Sequence, residues 1–148
     1  MQGNLAITYN ELGRHEEALS LRRDVYFGRL KLSGKEHEET IREASNYAIN
    51  LLDLRRFKEA KSLLCKWAPV AQRVFGAEHW RTLSLREDLA RATLAGDSSS
   101  KEKRKALQML EDTVAVMRRV LGPAHPDTLH AQNNLEGYRQ RTGGATNL

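Results

Sequence analysis

The chain has 148 residues, 40% hydrophobic and 29% charged, with a formal net charge of +5 and only three prolines and three phenylalanines. That length suits one domain, and a composition led by Leu, Ala and charged residues favours helices over sheet. No run approaches the roughly 18 apolar residues of a membrane span, the N-terminus lacks a signal-peptide pattern, and the single Cys65 cannot build a disulfide framework, so a reducing cytoplasmic setting is expected.

Apolar spacing predicts helices at about 2–12, 15–32, 38–54, 57–74, 79–95, 101–121 and 126–141. Between them one phrase occurs three times: Gly34-Lys35-Glu36-His37-Glu38-Glu39-Thr40-Ile41, Gly76-Ala77-Glu78-His79-Trp80-Arg81-Thr82-Leu83, and Gly122-Pro123-Ala124-His125-Pro126-Asp127-Thr128-Leu129. The copies start 42 and then 46 residues apart. A fixed period in that range means stacked supersecondary units, each a helix, a tight turn and a longer helix. The period also holds inside the units, since Asn4-Leu5-Ala6-Ile7 matches Asn46-Tyr47-Ala48-Ile49, and Ala18 matches Ala60 and Ala106.

The four extra residues of the third unit are expected between helices, near Gly96-Asp97-Ser98-Ser99-Ser100 (97–104 at the widest), where arrays tolerate insertion. Gly34, Gly76 and Gly122 should end the longer helices, and Pro126 suits a first helical turn. Pro69 lies inside a predicted helix and should kink it or split it near Ala68.

The pattern Leu5-Ala6-x-x-Tyr9-x-x-Leu12-Gly13-Arg14-x-Glu16-Glu17-Ala18 resembles a tetratricopeptide repeat. The 42-residue period and the seam Leu121-Gly122-Pro123-x-His125-Pro126-Asp127-Thr128-Leu129 resemble the kinesin-light-chain type. The resemblance implies an all-α, right-handed α-solenoid of antiparallel helix pairs, about seven helices in all. Residues 1–148 then form a single array, with units at about 1–33 (partial), 34–75, 76–121 and 122–148 (partial). The last helix reads as the start of a further pair or as a polar cap, and Glu136, in an alanine column, favours the cap.

No catalytic constellation is found. His37, His79 and His125 recur once per unit, about 10 Å apart by repeat geometry, whereas zinc needs its nitrogens at ~2.0–2.1 Å from one centre. A structural role at each helix start is expected, with no metal and no cofactor. Cys65 has no specified base.

The asparagine column is the stronger lead: Asn4, Asn46 and Asn134 share one phase, with Asp88 in the third unit. In tetratricopeptide arrays the first helix of each pair lines the concave face, so the resemblance implies that these amides hydrogen-bond an extended peptide backbone. The competing reading is that they bond neighbouring helices. On the same faces fall Arg42, Ser45, Ile49, Glu87, Arg91, His130, Asn133 and Arg141. Arg42 and Arg91 suit capture of acidic side chains. Kinesin-light-chain grooves take short segments with a tryptophan flanked by acids, yet Glu87 and Asp88 should repel an acidic ligand at the third unit.

The function expected is a non-catalytic protein-interaction scaffold that binds a protein or peptide ligand, with acidic character allowed and no membrane involved. Self-association is an option if exposed ends meet. The alternatives are a nucleic-acid-binding array using the basic runs Arg55-Arg56-Phe57-Lys58 and Lys101-Glu102-Lys103-Arg104-Lys105, or a regulatory module of a larger signalling NTPase. The basic runs are mixed with acids and lack interleaved aromatics, so solvated surface is favoured over stacking with bases.

Overall fold

The computed structural model describes residues 14–146, with side chains through Arg141. Asn4, the Leu5–Gly13 motif and the helix expected at about 2–12 lie outside them. The described residues form helices α1 (His15–Ser33), α2 (Glu38–Asp53), α3 (Phe57–Phe75), α4 (Trp80–Ala95), α5 (Ser100–Val120) and α6 (Pro126–Thr146), with no strand among them. Their starts agree with the sequence expectation to within one residue. The one sizeable departure is the end of α6, which continues through Gly143 and Gly144 to Thr146, because glycine disfavours helix without forbidding it.

The repeated seam accounts for the helix boundaries atom by atom. Gly34, Gly76 and Gly122 take φ values of 82°, 100° and 101°, a region where a side chain is costly. Three residues on, histidine caps the next helix: Nδ1 of His37, His79 and His125 accepts the backbone N–H of Glu39, Arg81 and Asp127 at 3.2, 3.1 and 3.1 Å. Such an imidazole must be neutral, with its proton on Nε2. In the second and third seams the threonine then ties the new helix to the preceding one, whereas the buried Thr40 hydroxyl of the first has no hydrogen-bond partner among the described residues. Thr82 Oγ1 donates to the Ala71 carbonyl at 3.2 Å, and Thr128 Oγ1 to the Met117 carbonyl at 3.4 Å.

Successive helices pack against each other in chain order, and α4 also touches both α2 and α6 directly. The backbones of α1, α3 and α5 do not approach each other. So α2, α4 and α6 form an inner layer and α1, α3 and α5 an outer one. The alanines set the spacing. Ala48, Ala60 and Ala90 are fully buried where helices pass closely, and removing each buried side chain from water contributes in proportion to its area.

Two apolar clusters result. One gathers Ile41, Leu51, Leu64 and Trp67; the other gathers Leu83, Leu110, Met117 and Ala131. Helix α4 belongs to both, sending Leu85 and Ala92 to the first and Leu83, Ala90 and Leu94 to the second. A helix buried on two sides has no single apolar stripe.

Two sequence expectations need refinement. The extra length of the third unit is mostly helix. Ala106 lies six residues into α5, whereas Ala60 lies three into α3, so three inserted residues form an added N-terminal turn and one lengthens the loop. Ser99 and Glu102 close that turn with a capping box at 3.1 and 2.9 Å, and Lys61 of α3 reaches Glu102 at 3.1 Å and Ser98 at 3.3 Å. Pro69 does not split its helix, since α3 runs unbroken from Phe57 to Phe75. Proline denies the Cys65 carbonyl its usual helical donor, and both residues are exposed on one side of α3, where water can solvate that carbonyl.

Candidate functional site

The inner layer carries every described residue proposed from the repeat phase, and the structure sorts them into three groups. The first lies on α2. Arg42 is exposed and extends its Nη2 to Glu43 Oε1 at 3.4 Å. Glu43 is itself buried beneath it, facing buried Arg22 of α1 at 4.0 Å. Burial pulls the Arg22 pKa down and Glu43 pushes it back up. Ser45 and Asn46 are half-buried, and Ile49 leaves 41% of its surface exposed.

The second group lies on α4. Asp88 is buried and takes Arg91 Nη1 at 3.2 Å. Burial first, and then repulsion from Glu87, push the Asp88 carboxyl up to about 7, against the pull of Arg91. The expected repulsion of an acidic ligand is thereby weakened, since one carboxylate is partly protonated near neutrality and carries an arginine.

The third group spans α4 and α6. Glu87, also buried, receives Asn134 Nδ2 at 2.9 Å, and His130 Nδ1 lies 2.9 Å from the same oxygen. Asn134 therefore works between helices, which is the structural reading of the asparagine column. Asn133 and His130 remain exposed, and Arg141 lies over the Tyr138 ring at 4.9 Å. Glu136 is exposed where Ala48 and Ala90 are fully buried in the stack.

Phase alone missed a neighbouring feature. A shallow cleft between α2 and α4 is lined by Ile41, Ser45, Ser84 and Leu85, with Trp80 and Arg81 at its rim. Trp80 is 46% exposed, and the Arg81 guanidinium sits 4.5 Å from its ring centroid. The His79 ring stacks with Trp80 at 5.8 Å, and Phe75 stacks on His79 at 4.6 Å. The signal was available: the first helical positions are Glu38-Glu39 and Pro126-Asp127 in the sibling seams, residues suited to a helix N-terminus, but Trp80-Arg81 here. Among the described residues no three His, Cys, Asp or Glu side chains group as metal ligands, and no helix is long and apolar enough to cross a membrane.

A tetratricopeptide-repeat family model matches residues 1–39 and 98–127. Among solved structures, a putative kinesin light chain of Podosopora anserina with nearly identical TPR-like repeats aligns at TM-score 0.82 and 27% identity, covering 96% of this chain and 65% of that one. A single-substitution variant of that protein aligns at 0.77 and 26%, covering 99% and 67%. BtubC (BKLC) from P. vanneervenii shares the fold at 0.78 and 21% identity, covering 96% and 55%. This chain thus spans about two thirds or less of the structures it matches. No curated protein matches it in sequence. The fold is a tetratricopeptide-type α-solenoid similar to kinesin-light-chain repeats.

Proposed function

We propose that the inner layer binds an extended segment of a partner protein, and that the chain is a non-catalytic scaffold acting in the cytoplasm. The observation that supports this most directly is the pairing of each groove arginine with a buried carboxylate: Arg42 with Glu43 and Arg91 with Asp88. A guanidinium held at its base by a buried acid keeps donors free for a second acceptor. Two such groups on adjacent inner helices, with exposed Ile49 near them, suit a ligand of alternating acidic and apolar character. Asn46 and Asn133 are the amides left to read a peptide backbone, since Asn134 is engaged by Glu87. Ser45 lies in the cleft beside Trp80 and can add a hydrogen bond.

The test is a short-peptide display screen of the purified chain beside an Arg42→Ala, Asn46→Ala double variant. Enrichment of an extended acidic motif that the double variant loses is the expected result. Equal enrichment by both proteins would remove the ligand from α2 and overturn the assignment.

A further inference from the structure

The outer layer holds the larger openings, and the repeat frame explains their difference. Between α1 and α3 a groove of about 350 Å³ is lined by Tyr26, Phe27, Tyr47 and Leu63. Trp67 of α3 crosses beneath it, donating Nε1–H to the Tyr26 hydroxyl at 2.9 Å, with the rings 5.8 Å apart and edge-on. One unit further, Thr113 stands in place of Trp67, and Ala68, Pro69 and Leu89 stand in place of Tyr26, Phe27 and Tyr47. The Thr113 hydroxyl turns back to its own helix, onto the Met109 carbonyl at 2.7 Å. With no ring on either side, the groove between α3 and α5 opens to about 650 Å³.

Its floor is Ala68, Leu89 and Met109. Its walls carry Arg86 and Arg73, the latter paired with Glu36 at 3.3 Å, and its continuation toward the α5 N-terminus carries Lys105 and Lys61, the latter paired with Glu102 at 3.1 Å, so two cations are left in excess. Cys65 and Pro69 also line it.

We propose that this outer groove is a second docking site, which takes an aromatic side chain of the tyrosine or phenylalanine class from an acidic segment of a partner protein. The sibling groove shows what chemistry fills this place in the frame, since rings occupy it there. The excess of cations around the rim sets the sign of the flanking residues. An aromatic anchor in a pocket ringed by polar groups is the arrangement that concentrates binding energy. The site lies on the opposite layer from the inner face, so it stands or falls separately from the peptide groove proposed there.

Two reporters lie in the groove, the methyl group of Met109 and the thiol of Cys65, which is the only cysteine in the chain. The probe is a synthetic peptide with one tyrosine between glutamates, with an alanine-for-tyrosine peptide as control. The tyrosine peptide should shift the Met109 methyl resonance saturably and slow Cys65 alkylation, and the control should do neither. Ala68→Tyr, which copies the sibling groove, should weaken binding about tenfold or more. Arg86→Glu, at a half-buried rim position, should weaken it as well without depending on how a new ring packs.

The Arg42→Ala, Asn46→Ala protein should bind this probe as the parent does. A Met109 shift that persists in both groove variants would overturn the proposal. So would shifts confined to Ile49 and the inner face, or a Met109 response to an oligothymidine but not to the peptide.

Discussion

The two halves of this solenoid use the same frame and hold themselves together differently. In the first half, aromatic rings bridge the outer helices: Tyr26 packs on Phe27, Tyr47 and Trp67 with centroids 4.9, 5.6 and 5.8 Å apart. In the second half no ring bridges α3 and α5, and the specific ties lie in the inner layer, where Glu87 gathers His130 and Asn134. Apolar bridging is indifferent to pH and salt, whereas a buried carboxylate network is not. Both halves keep an apolar cluster, and the first also buries Glu43 against Arg22; what differs is the aromatic bridge between outer helices, and the open groove lies where that bridge is missing.

The largest effect should come from breaking the aromatic bridge. Trp67 is fully buried, and Trp67→Ala should cost about 3–5 kcal/mol in urea unfolding. Thr113→Ala at the equivalent site should cost far less, and equal losses would erase the contrast.

The polar half can be sharpened through Asp88. Its carboxyl rises from 3.8 to about 7 on folding, so between those values the folded state holds the proton more tightly than the unfolded chain. Stability then falls as pH rises through that window, and the full penalty is present above it. Asp88→Asn, which restores the residue of Asn46 and Asn134, should stabilise the protein by up to about 4 kcal/mol at pH 8 and by little at pH 4. A pH-independent difference would show that Asp88 is not the group responsible.

A smaller effect is expected at Tyr26. Burial holds its phenol above the ordinary range while the Trp67 bond draws it down. Tyr26→Phe keeps the ring and leaves the indole N–H without its acceptor, so about 1–2 kcal/mol should be lost. Thermal unfolding with no change would mean the rings, and not the hydrogen bond, make the bridge.

The smallest effect should be a gain. Arg55 takes φ 60° in the turn between α2 and α3, where the preceding unit carries Gly13. Arg55→Gly should raise stability by about 0.5–1 kcal/mol by removing that strain. It should do so without altering either half's response to pH.

The fold was legible because the seam is self-contained. A glycine and a histidine three residues on fix where one helix stops and the next starts, and the threonine six residues on adds a tie to the preceding helix at Thr82 and Thr128. The alanine columns added the packing distance. The inner face was legible only as a set of positions. That Asn134 bonds Glu87 depends on the rotation of α6 against α4, which repeat phase does not specify. The exposed Trp80 and the open groove left traces that phase analysis passes over, because both are departures from the repeat: Trp80-Arg81 where siblings carry acids or proline, and Ala68 and Thr113 where the previous unit carries Tyr26 and Trp67.

The double membership of α4 has a consequence for how the molecule opens. Arrays of this kind can fray from their ends, with each unit leaving in turn. Here the middle helix cannot detach from one cluster while remaining intact for the other, because Leu83 and Leu85, two residues apart, are claimed by opposite sides. Amide hydrogen exchange should therefore be slowest along α4 and rise toward both termini. The last structure to survive partial denaturation would be a three-helix kernel of α3, α4 and α5, which carries the outer groove with it.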